Sequence, residues 1–143
     1  MSKGNTYETD FLALLLNATA IANVADNAAT APLTNIAVAL HTADPGEAGT
    51  QATSETAYTG YARISVARTT GGWTVTAGSA SPVANIDFGE CTAAPGAAIT
   101  HFSCGPTGGG ATKIFYSGTV TPNITMAVGV IPRLKTTSTI TED

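Results

Sequence analysis

Two periodicities divide this chain. Near its start, Phe11, Leu12, Leu15, Leu16 and Thr19 recur at three- and four-residue spacing, and Ile21 and Ala22 continue the face. That spacing predicts a helix beginning at Thr6 or Thr9, with Glu8 and Asp10 suited to its positive N-terminal turn. Leu14 widens the apolar stripe beyond half the circumference. The helix is expected to end near Ala25, where Asp26, Asn27 and Pro32 interrupt the pattern. Such a helix can pack on its own domain or dock as an arm on a neighbour, and the pattern fits both. From residue 35 the period falls to two. Ile36, Val38 and Leu40 alternate with Ala37, Ala39 and His41, as in a half-buried strand over residues 35–42.

Further strands are expected at 58–67, 73–76, 83–88, 98–104, 112–117 and 124–130, with a last one from about 133 to 141. Turn signals separate them, among them Asp44-Pro45-Gly46, Gly71-Gly72, Pro95-Gly96, Gly108-Gly109-Gly110 and Pro122-Asn123. Residues 47–56 contain no large apolar side chain and read as an exposed loop. There is no internal repeat and no strand–helix–strand alternation. The expected fold is all-β: an antiparallel jelly-roll or β-sandwich of about eight strands with an N-terminal α-helix. The arm and helix occupy residues 1–34 and the β-domain residues 35–143.

Composition sharpens this picture. Charged residues are only 11% of the 143, less than half the usual share, while hydrophobic residues reach 43%. A surface so poor in charge suits a protein lying against a partner, because permanent interfaces are less polar than free surfaces. The alternative is a monomer kept soluble by its many Thr and Ser hydroxyls. The net charge is −4, and the six cations Lys3, Arg63, Arg68, Lys113, Arg133 and Lys135 are scattered. Phosphate contact needs clustered cations, so no nucleic-acid partner is expected. The N-terminal MSKGNTYETD carries acids where a secretory leader has cations, so no leader is expected. The apolar run over 11–24 is short for a bilayer and broken by Asn17, Thr19 and Asn23, so no membrane partner is expected either. Cys91 and Cys104 read as buried small hydrophobes, with a disulfide between neighbouring strands left open.

No residue pattern specifies a reaction. His101 and Cys104 stand three apart in a strand and point to opposite faces, so they cannot share an ion without a bulge. A jelly-roll metal enzyme needs at least two histidines and a carboxylate converging, and His41 and His101 lie on distant segments. No Gly-x-Ser-x-Gly elbow is present, and the Thr107–Lys113 run lacks the Gly-Lys-Ser/Thr ending of a phosphate loop; it reads as a hairpin loop. No catalytic, cofactor-binding or metal-ligating residue is therefore assigned, and no cofactor is expected. Tyr58 and Tyr61, following the 47–56 loop, read as surface-facing and better suited to a protein interface than to a sugar.

The block LHTADPGEAGTQATSETAYTGYARISVAR, from Leu40 to Arg68, resembles a family of small tailed-phage virion proteins. The later string AAITHFSCGPTGGGATKIFYSGTVTP and the segment GVIPRL extend the resemblance over most of residues 35–135. Members are often labelled tail-fibre proteins, and those most similar look like capsid cement (decoration) proteins with a jelly-roll fold. The resemblance implies a structural protein on the outer surface of an HK97-like capsid. Its partners would be the major capsid protein and further copies of itself, as a dimer or trimer. Contact residues are then expected on the helix, at Phe11 and Leu15, and along the 44–61 loop, at Asp44, Pro45, Glu47, Tyr58 and Tyr61. The runner-up is a tail-associated structural or receptor-binding module.

Overall fold

The computed structural model describes residues 3–22, 24–26, 28, 32–107 and 113–142. Among these the chain forms one helix, α1 (Asn5–Asn17), followed by nine strands. They are β1 (Asn35–His41), β2 (Ile64–Ala67), β3 (Trp73–Thr76), β4 (Ser79–Pro82), β5 (Ile86–Asp87), β6 (Ile99–Pro106), β7 (Tyr116–Ile124), β8 (Arg133–Leu134) and β9 (Ile140–Thr141). The expected all-β class with an N-terminal helix is what the structure shows. The strands group into a four-stranded sheet in the order β2-β1-β6-β7, a three-stranded sheet β3-β4-β9 and the pair β5-β8. Two compact units result, one of Met1–Asn35, Val66–Ile86 and Leu134–Asp143, the other of Ile36–Ser65 and Asp87–Arg133. The first unit contains the expected arm, residues 1–34.

In the first unit, α1 packs on β3 and β4 and buries Leu12 and Leu16 completely. Trp73, Ala80, Ile86, Leu134 and Ile140 complete this core. Of the two dockings open to the helix, packing on its own unit is the one observed. The helix starts at Asn5 behind Gly4 and stops at Asn17, well short of Ala25. Ala18 turns left-handed (φ 55°), and the Thr19 N–H closes back on the Ala13 carbonyl at 3.0 Å. A left-handed residue with a closing backbone bond is a local stop, which apolar periodicity does not signal. The Asn17 amide, oriented by its acceptors, donates to the Thr69 and Trp73 carbonyls at 3.0 and 3.1 Å.

Arg68 finishes the helix. Its Nε and Nη2 donate to the Leu15 and Leu14 carbonyls, both at 2.6 Å, and Nη1 reaches the Leu33 carbonyl at 3.3 Å. Last-turn carbonyls have no partner within a helix and carry its negative dipole end, so a guanidinium there is favourable twice over. Thr9 ties down the other end: its hydroxyl donates to the Asn5 carbonyl and accepts the Gly78 N–H at 2.8 Å.

The Ala77-Gly78 turn between β3 and β4 has both residues at positive φ, 48° and 70°, with Thr76 opposite Ser79. This is a two-residue type I′ hairpin, and alanine is an uncommon choice there because its Cβ opposes the left-handed region. The turn lacks the Asn-Gly signature, and expectation accordingly missed β4 and placed a strand at 83–88. Only Ile86–Asp87 of that stretch is strand.

The second unit is organised around β1. Every residue from Ile36 to His41 is buried, so the expected alternation of buried and exposed faces does not hold. Strand β1 lies between β2 and β6 as an inner strand, and both of its faces are covered. Its register with β6 runs from Ile36↔Pro106 to His41↔His101. The expected strand over 58–67 is strand only in β2, and those expected over 112–117 and 124–130 are replaced by the single β7. Thr112 and the expected Gly108–Gly110 hairpin loop lie outside the described residues. The stretch 133–141 splits into β8 and β9. Strand β7 is the sheet's edge, and its pairing with β6 slips between Ile99↔Ile124 and His101↔Thr119, in the stretch that holds Pro122. A bulge with a proline in it blunts an open edge against strand addition.

Two expected outcomes follow from this packing. Arg68→Met, which keeps the side-chain stem, removes donors from three carbonyls and lowers stability by roughly 2–3 kcal/mol, read from the urea midpoint. Ala77→Asn relieves the left-handed alanine and raises stability by roughly 0.5–1 kcal/mol; an unchanged midpoint would show that the turn carries no such cost.

Candidate functional site

The densest group of polar side chains lies in the second unit, where residues 50–63 run along the end of β1. They complete an edge that β2 does not reach. The Gln51 Nε2 donates to the Ala37 carbonyl at 3.1 Å and the Thr56 N–H to the Leu40 carbonyl at 2.9 Å. The Leu40 N–H donates to the Tyr61 hydroxyl oxygen at 3.1 Å, and the Thr42 N–H to the Ser54 carbonyl at 2.8 Å. Gln51 and Thr56 are buried. The expected exposed loop over 47–56 is therefore a loop only in part. A lack of large apolar residues hid a segment that docks through hydrogen bonds.

Glu55 is the centre of the group. Its Oε1 accepts from Arg63 Nε at 2.7 Å and from the Tyr61 hydroxyl at 2.8 Å, and its Oε2 accepts from Arg63 Nη2 at 2.8 Å. A bidentate guanidinium–carboxylate pair is geometrically selective as well as strong. Partial burial works to raise the Glu55 carboxyl, but the Arg63 and Tyr61 donors outweigh it and hold the carboxyl below its ordinary range. The same pair raises the Arg63 guanidinium through its bond to Glu55. Burial pushes the Tyr61 phenol up, and the bond to Glu55 adds to that.

His41 and Ser103 are both fully buried. The His41 Nδ1 stands 2.9 Å from the Thr53 carbonyl and its Nε2 2.8 Å from Ser103 Oγ. A carbonyl can only accept, so Nδ1 carries the proton and Nε2 accepts from the Ser103 hydroxyl. Burial holds the imidazole below its ordinary 6.5, against the Thr53 carbonyl and Glu55, which favour its charged form. The sequence of contacts, hydroxyl to imidazole to acceptor, matches a nucleophile relay. Its chemistry differs: neither Oγ nor the ring has any surface where a substrate carbonyl could approach, so the contacts act as internal hydrogen bonds. Along the chain the histidine nearest Ser103 is His101. The β1–β6 register sets Ser103 against Ala39 and His101 against His41, so Ser103 lies diagonally across from His41.

The expected contact residues fall into two groups. Asp44 and Glu47 are exposed, and Asp44 Oδ1 accepts the Gly46 N–H at 2.9 Å in a local turn. Phe11 and Leu15 are half-buried on α1, and Pro45 is buried. Tyr58 is 3% exposed, which corrects the expectation that it faces the surface. Its hydroxyl donates to the Gly89 carbonyl at 2.8 Å, its ring meets Tyr61 edge-on at 5.4 Å, and Tyr61 stacks on Phe88 at 6.1 Å. The approach needs glycine: a Cβ on Gly60 would stand 2.1 Å from the Glu90 carbonyl oxygen, and one on Gly89 2.0 Å from that of Gly60. Burial pushes the Tyr58 phenol up to about 12. Tyr61 is half-buried, with its hydroxyl engaged as described.

Cys91 and Cys104 are free thiols, both buried, and burial pushes Cys104 up to about 12. Among the described residues no group of three or more His, Cys, Asp or Glu is placed to hold a metal ion, and no helix is long and apolar enough to cross a membrane.

Fold and site together define the class: a mostly β structural domain whose polar cluster serves its own packing. A family model described as podophage GP4 fiber I protein gp80 matches residues 12–141, and the chain belongs to that family of phage structural proteins. No curated protein matches the chain.

Glu55→Gln leaves the Arg63 guanidinium without its carboxylate and lowers stability by roughly 1–3 kcal/mol in urea unfolding. Asp87→Asn removes the exposed partner of Arg133 and leaves the midpoint unchanged, because solvated ion pairs contribute little.

Proposed function

We propose that this chain is a structural virion protein that binds the outer surface of an HK97-like capsid and cements neighbouring capsid subunits, as a dimer or trimer with the jelly-roll arrangement its resemblance implies. The observation that carries the reading is membership, over residues 12–141, of a phage structural family. The absence of an internal repeat supports a globular cement protein over a fibre shaft, which extends by repetition. Exposed apolar side chains also support it. In the second unit Val128 (67% exposed) and Ile131 (53%) stand on a turn braced by bonds from the Gly129 N–H to the Cys91 carbonyl and from the Cys91 N–H to the Val130 carbonyl. A rigid apolar turn loses little entropy when a partner covers it. Asp44 and Glu47 on their loop, and Phe11 and Leu15 on α1, are further contact candidates. The mechanism is linkage: a protein that binds only the assembled lattice stabilises it by mass action, and repeated sites add effective concentration.

A second reading is a tail-associated structural or receptor-binding module, with which the word fiber in the family description agrees. Copy number separates the two. Quantitative mass spectrometry of purified virions is expected to find this chain at a stoichiometry comparable with the major capsid protein. A handful of copies per particle would move it to the tail.

A further inference from the structure

His41 stands where three stretches of chain meet, and each presents titratable or charged groups to it. Strand β6 supplies His101, directly opposite in register, and the Ser103 hydroxyl. The segment ending in Thr56 supplies Glu55, the bridge partner of His41, and the Thr53 carbonyl. The stretch entering β2 supplies Arg63 and, through its bond to Glu55, Tyr61. We propose that His41 is an acid-sensitive pin: a proton taken up at Nε2 loosens residues 50–56 from the end of β1 while the β1–β6 ladder stays paired.

The hydrogen-bond balance gives the reason. In the neutral ring Nδ1–H donates to Thr53, and Nε2 accepts from Ser103. A proton arriving from solvent at Nε2 makes both ring nitrogens donors. The Ser103 hydroxyl must then turn its oxygen to the ring, and its hydrogen loses its acceptor. The bond to His41 is the one Ser103 side-chain bond among the described residues. Nor can Glu55 answer the new charge freely, since both its oxygens already hold Arg63 and one also holds Tyr61. Arg63 and His101 oppose a second cation beside them. Opening the 50–56 segment relieves all of this by admitting water to the ring. That segment is the weaker side of the packing. Besides the His41–Thr53 bond it meets β1 through the Thr42, Thr56 and Gln51 bonds and is tied to Tyr61 and Arg63 by Glu55, whereas β6 is paired with β1 over six residues.

The sign follows from burial, which holds the folded imidazole below its ordinary 6.5. Attachment of the segment is complete above 6.5 and is lost as pH falls from there through the lower folded value. One-proton linkage sets the steepness at up to about tenfold in the opening equilibrium per pH unit.

Amide hydrogen exchange of the full chain between pH 7.5 and 5, corrected for intrinsic rates, tests this. Opening at the Thr42 and Thr56 amides is expected to rise up to about tenfold per pH unit below 6.5, with the β6 amides flat. His41→Gln, which does not titrate, is expected to abolish the rise. An NMR titration of the wild-type His41 ring covers the case in which that variant does not fold, and its midpoint is expected below 6.5. A ring that titrates at or above 6.5 overturns the proposal. So does protection that stays constant to pH 5, or one lost equally from β6.

Discussion

The bidentate contact between Glu55 and Arg63 is the constraint on which the second unit depends. It links the segment ending in Thr56 to the entry of β2, and the Tyr61 hydroxyl joins both to the backbone of β1 at Leu40. With that clamp in place, Gln51 can be buried against Ala37 and His41 against Thr53 and Ser103. Each of these groups is costly to bury alone. Together they are satisfied, and a fully bonded polar network fixes one arrangement where an apolar contact would tolerate several. Tyr58 follows, because its ring packs on a Tyr61 already held in place.

The first unit solves a different problem in a similar way. A helix apolar around most of its girth has little to choose between faces, yet Leu12 and Leu16 are the ones fully buried. Polar bonds at both ends make the choice. Arg68 and Asn17 hold the last turn, and Thr9 holds the first turn to the β3–β4 hairpin. Hydrophobic burial supplies most of the driving force in such packing and is not directional; hydrogen bonds set the rotation.

Features governed by local chemistry were legible in the sequence. The period-two run of β1, the Trp73–Thr76 strand, the existence of the helix and the turn at Asp44–Gly46 all follow from residues close together in the chain. What was not legible depends on partners far along it. The alternation in β1 fails because both its faces are buried, with Gln51 and Thr53 of a segment whose own composition reads as a loop bonded to Ala37 and His41. The helix stops at Asn17 because a left-handed Ala18 and a turn more than fifty residues away terminate it. Tyr58 reads as a surface aromatic until Gly60 and Gly89 are seen to let two backbones touch. The Ser103–His41 contact needs the β1–β6 register, which no pattern in either strand alone specifies.

Charge is the last consequence. Of six cations, Lys3 pairs with Glu142, Arg63 with Glu55 and Arg133 with Asp87, while Arg68 holds helix carbonyls. Four of the six thus serve contacts within the chain, and that pairing leaves the net charge at −4. On the proposed function, contact with the lattice rests chiefly on close packing of uncharged surface, since charged residues are only 11% of the chain. That kind of contact is slow to form without steering and weakly sensitive to salt. On that same proposal, repeated short-range contacts at many identical lattice sites compensate for weak long-range attraction.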